Sequence, residues 1–84
     1  MNHRIEFTDD QIYNAVRIIF EDNKVKKVTF TNNVRNLTYN VFIFTFGEKE
    51  YHYTVYSERE FNTFINCVKE RAKNEPYKID IYKM

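Results

Sequence analysis

Glycine, proline and cysteine each occur once in the 84 residues, and tryptophan is absent. With Gly47 alone, no loop can bring several backbone amides close around a phosphate. Cys67 alone excludes an internal disulfide framework, and with His3 and His52 at their spacings it makes no zinc motif. The expectation is a reducing, cytoplasmic setting in a bacterial host, with no metal and no cofactor. Apolar runs fall far short of the roughly 20 residues that span a bilayer. No basic-then-apolar leader with a small-residue cleavage site opens the chain, so no membrane partner is expected.

What is abundant is aromatic and β-branched. With 43% hydrophobic and 18% aromatic residues the chain is globular, and its length suits a single domain, 1–84. A surplus of Asn, Lys, Ile, Tyr and Phe is what an AT-rich coding sequence gives, which suits a low-GC bacterium or its phage. The net charge of +1 favours no polyanionic partner when averaged over the chain. Locally, however, Lys24, Lys26, Lys27 and Arg35 fall in a stretch without acids.

The centre of the chain is a hairpin. Val41-Phe42-Ile43-Phe44-Thr45-Phe46 and Tyr51-His52-Tyr53-Thr54-Val55-Tyr56 flank the turn Gly47-Glu48-Lys49-Glu50. Setting Phe46 opposite Tyr51 places Phe44 opposite Tyr53 and Phe42 opposite Val55, which gathers five aromatics on one face. That aromatic face is expected to be the core beneath the helices. If the helices cover Val28, Phe30, Leu37, Tyr39, Val41 and Ile43 instead, it becomes a binding or dimer surface.

Around the hairpin, His3 to Phe7 alternates as a short edge strand. Thr8-Asp9-Asp10-Gln11 has the capping-box pattern and starts a helix at Asp9. Ile12, Ala15, Val16, Ile19 and Phe20 form its buried face, which Tyr13 and Ile18 widen, and Asn23 offers a left-handed cap. Val25 to Thr31 makes a one-sided strand, with Phe30 opposite Leu37 and Val28 opposite Tyr39. Ser57-Glu58-Arg59-Glu60 is a second capping box. It opens a helix with a Phe61, Phe64, Ile65, Val68, Ala72 stripe, ended by Asn74-Glu75-Pro76. Tyr77 to Tyr82 alternates as a last strand. The expected fold is α+β: an antiparallel sheet of three to five strands with two helices mainly on one face, in the order (β)αβββαβ.

Catalysis finds little support. Ser57 is accounted for as a cap, Cys67 has no histidine at a meaningful spacing, and neither histidine has the context of a base, so no enzyme is expected. Lys24, Lys26, Lys27 and Arg35 make the best nucleic-acid signal. The α-β-β-β-α order matches the double-stranded-RNA-binding fold, but the second helix here opens with Glu58 and Glu60 where that fold carries cations.

Asn36-Leu37-Thr38, the alternating strand after it, the pair Glu50-Tyr51 and the acid-started helix carrying Phe64-Ile65 resemble the small phage anti-CRISPR proteins that inhibit Cas9 through an αβββα core. The resemblance covers about half the chain. It implies a phage-encoded inhibitor whose acidic side chains occupy the surface that reads DNA, and only Glu48 and Glu50 carry over as such contacts. That family is strongly acidic, whereas Asn32-Asn33-Val34-Arg35 is not, and a strand here replaces its terminal helix. The expected function is therefore a non-enzymatic protein-binding module, with Glu48, Lys49, Glu50, Phe44, Phe46, Tyr51 and Tyr53 as contacts and a CRISPR or other defence nuclease as partner. The alternatives are a nucleic-acid-binding accessory protein using the basic hairpin and a homodimer.

Overall fold

The computed structural model describes residues 5–84. Its elements are α1 (Asp9–Asp22), β1 (Val25–Asn33), β2 (Thr38–Thr45), β3 (Glu50–Val55), α2 (Glu58–Lys73) and β4 (Asp80–Lys83). The fold is the expected α+β class. The four strands lie in the order β3-β2-β1-β4, the meander β1-β2-β3 being antiparallel and β4 joining β1 in parallel. The helix α2 carries the chain from one sheet edge to the other, a span that a parallel fourth strand requires.

Both helix starts follow their sequence signals. The Thr8 hydroxyl accepts from Gln11 N–H at 3.1 Å while the Gln11 side chain accepts from Thr8 N–H at 2.9 Å. Ser57 accepts from Glu60 N–H, but Glu60 does not complete the expected box. Its carboxylate turns instead to Tyr56 N–H at 3.3 Å and Phe7 N–H at 3.0 Å, and the residue is fully buried. Asn23 ends α1 in extended backbone, not in a left-handed cap. Its backbone N–H and side-chain amide both donate to Ile19 O, and the amide also reaches the Tyr51 hydroxyl at 2.9 Å.

One core lies between the helices and the sheet. The α1 side chains Ile12, Val16, Ile19 and Phe20 meet Phe61, Phe64, Ile65 and Val68 of α2 over Val25, Val28, Phe30, Val41, Ile43 and Val55. Phe61 stacks on Tyr39 and meets Phe30 edge-on, and Phe64 leans on Tyr53. Tyr13 and Ile18, expected to widen the buried arc of α1, are half exposed. Val25 and Val28 are both buried although three residues apart, because a bulge at Lys26 inserts an extra residue into β1.

Several expected registers are corrected. Phe42 lies opposite His52, Val41 opposite Tyr53 and Phe44 opposite Glu50, a three-residue slip from the expected pairing. An odd slip turns every β3 side chain to the other face. Tyr51 and Tyr53 therefore face the helices, and the face of five aromatics does not form. Phe30 pairs with Val41 and Val28 with Ile43, a four-residue slip that keeps the face and lengthens the hairpin. Leu37 leaves the strand for the turn, at φ 55°. The last strand covers Asp80–Lys83 instead of beginning at Tyr77. Ile5 to Phe7 form no strand, and the rest of that expected element, His3 and Arg4, lies outside the described residues.

Candidate functional site

Because both helices pack on one side, the other side of the sheet has no covering element among the described residues. The register lays its side chains out in rows across β3, β2, β1 and β4. One row reads Glu50, Phe44, Lys27, Asp80; the next reads His52, Phe42, Thr29, Tyr82; a third begins Thr54, Asn40, Thr31. Alternation alone explains this: β2 buries Val41, Ile43 and Thr45 and turns Asn40, Phe42 and Phe44 outward.

The rows are held by side-chain contacts within the face. The His52 ring stacks flat on Phe42, centroids 4.4 Å apart and 7° from parallel. Asn40 Oδ1 accepts from the Thr54 hydroxyl at 2.9 Å and lies 2.9 Å from His52 Nε2, an arrangement in which Nε2 carries the proton. Lys27 Nζ stands 4.6 Å from the centre of the Phe44 ring. At the end of the sheet, Lys24 Nζ lies over both Phe46 and Tyr77, 5.2 and 4.6 Å from their centroids, and Phe46 meets Tyr77 edge-on. Burial pushes the Tyr77 phenol above its ordinary range and Glu75 adds to this, against a lowering hydrogen bond with the Val25 backbone.

Of the expected contact residues, Phe44 and Glu50 lie on this face, and Glu48 and Lys49 are exposed in the adjoining turn. Phe46 is 57% exposed although it touches Tyr77 and Lys24. Tyr51 and Tyr53 belong to the helix side. The basic group is divided: Lys24, Lys26 and Lys27 stand at the start of β1, while Arg35 follows its other end. A nine-residue strand separates them by roughly 30 Å.

Asn40, His52, Thr54, Thr29 and Tyr82 join the face without having been expected there, whereas Phe42 stands where the reading with the helices over Val28, Phe30, Val41 and Ile43 left it. Their common signal is strand alternation, readable once the register is known. On the helix side, burial and then the charge of Asp9 raise the Cys67 thiol above its ordinary range, so little thiolate forms near neutrality. No group of three or more His, Cys, Asp or Glu side chains is placed to hold a metal among the described residues, and none of their helices is long and apolar enough to cross a membrane. Comparisons with protein-family models, curated proteins and solved structures gave no significant match.

Proposed function

We propose that the chain is a non-enzymatic protein-binding module that presents the uncovered sheet face to a protein partner. The carrying observation is the row structure of that face, in which Phe42, Phe44 and Tyr82 stand among Thr29, Thr31, Asn40, His52 and Thr54. An apolar centre within a hydrogen-bonding surround is the composition of a protein interface. Glu50 and Asp80 at the two edges offset Lys27 in the same row, so that row holds no excess of positive charge for a polyanion. Phe42 already stacks on His52 and Phe44 already faces an ammonium, which leaves each ring less free to stack on a base. Nucleic acid is the weaker alternative for these reasons.

The resemblance to anti-CRISPR proteins supplies the first partner class to try, a host defence nuclease, with the protein acting as its inhibitor. The test is affinity capture from nuclease-treated lysate of a low-GC bacterium, followed by mass spectrometry and titration of the purified candidate. The expected result is one stoichiometric protein whose binding weakens at least tenfold for Phe42→Ser with Phe44→Ser, while Asn62→Ser on the exposed side of α2 changes nothing. Equal binding by both variants would sink the assignment to this face. Binding to nucleic acid alone, with a steep salt dependence that disappears on changing Lys24, Lys26 and Lys27 to Ser, would establish the alternative.

A further inference from the structure

We propose that β3 pairs antiparallel with β3 of a second copy of this chain, about a twofold axis at Tyr53, joining two four-stranded sheets into one of eight strands. β3 is an edge, bonded on one side to β2, and no hydrogen bond to the free side of its backbone occurs among the described residues. Natural edges are guarded by Lys, Pro, bulges or short length. Over its six residues β3 has no Lys, no Pro and no bulge, and its one carboxylate, Glu50, stands at its first position, whereas the opposite edge, β4, is four residues long and bears Asp80 and Lys83.

The choice of a second copy as occupant follows from register. Self-pairing keeps both helix-covered sides together only where paired residues share a face. An axis at Tyr53 sets Tyr53 against Tyr53 of the second copy and Tyr51 against Val55 of the second copy, all on the helix side. On the outer side it sets His52 against Thr54 and moves Glu50 opposite Tyr56, so no like charges oppose. The half-buried rims of Tyr51 and Tyr53 are then covered. An axis at His52 would instead oppose the two imidazoles. A twofold contact closes at two copies, which consumes the unguarded edge without propagating into a fibre. This dimer is independent of what the outer face binds, and would set two such faces side by side.

Sedimentation equilibrium on the full chain over a wide concentration range is the test, with hydrogen exchange measured alongside. The expected result is a mass rising from 10.3 kDa to twice that value. Amides within 50–55 should gain protection with concentration while 80–83 do not. Tyr53→Lys, which opposes two ammonium groups at the axis, should weaken association at least tenfold. Thr54→Lys, whose side chain lies outside the core, should do the same in a chain that keeps its circular dichroism. A monomer at every concentration would overturn the proposal. So would a dimer that both variants leave intact, or one whose concentration-dependent protection falls outside β3.

Discussion

Leu37 adopts the left-handed conformation with its side chain 75% exposed. For a non-glycine residue that geometry costs about 1–2 kcal/mol, and no burial of the side chain offsets it. Leu37→Asn is therefore expected to raise stability by about 1 kcal/mol, seen as a Tm increase of about 4–8 °C in a thermal melt. Glu60 presents the opposite case, a fully buried carboxylate accepting from Phe7 and Tyr56 N–H. The Ser57 hydroxyl lies 3.0 Å from both Glu60 and Glu6 and has one proton to give to either. Glu60→Ala removes the acceptor these two part-buried N–H groups share and should cost about 1–3 kcal/mol in urea unfolding, with Glu60→Gln closer to the parent. Burial, and then Tyr51, raises the Tyr53 phenol, and Cys67 and Tyr77 are raised as well. Each binds its proton more tightly when folded, so its stabilising effect is complete below the ordinary thiol or phenol range. That effect is lost as pH climbs from there to the raised folded value. Urea midpoints taken from neutrality into the phenol range should fall accordingly.

At the level of elements, the helices owe their boundaries to local chemistry and their positions to packing. Thr8→Ala removes a cap from an exposed helix start and should cost about 1 kcal/mol, while Ser57→Ala should cost more because its hydroxyl also donates to Glu6 or Glu60. Phe30→Ala, at the crossing of β1 with Phe61, should cost about 3–5 kcal/mol by leaving a cavity under α2. Arg59 ties Glu6, Asp9 and Phe7 O to the start of α2. Arg59 and Glu6 are about half exposed and Asp9 more so, and raising salt should therefore loosen the segment before α1 with little effect on the global unfolding midpoint. Gly47 is not at positive φ, and a Cβ there would meet only Thr45 Oγ1 at 3.8 Å. Gly47→Ala is thus expected to be tolerated, in contrast to what the chain's single glycine suggests by its place in a turn.

For the whole molecule, the sheet leaves open, among the described residues, the face opposite the helices and the long β3 edge. They use different parts of β3: the outward side chains Glu50, His52 and Thr54 for the face, the backbone for the edge. Phe42→Ser with Phe44→Ser should therefore leave the concentration dependence of the mass unchanged while abolishing partner binding.

Much of this architecture is local and could be read from the sequence. Thr8-Asp9-Asp10-Gln11 and Ser57-Glu58-Arg59-Glu60 announced both helices because a cap acts over three residues. Alternation in Val41 to Thr45 and the Asn74-Glu75-Pro76 stop are equally short-ranged. Register is not. Phe46 N–H bonds Lys24 O beyond the Val25–Thr45 pair, and Thr45 Oγ1 donates to Lys49 O across the turn, contacts that local sequence does not specify. With a side-chain period of two, that three-residue difference put Tyr51 and Tyr53 on the face opposite Phe42 and Phe44, and the packing of the helices over Val41 and Ile43 decided which of the two faces is the core. The side of the sheet to which β4 was added, and the separation of Arg35 from the lysines by the length of β1, were likewise settled by tertiary packing. Chain order determines which elements exist; their pairing, fixed by the shared core, determines which of their faces is left for a partner.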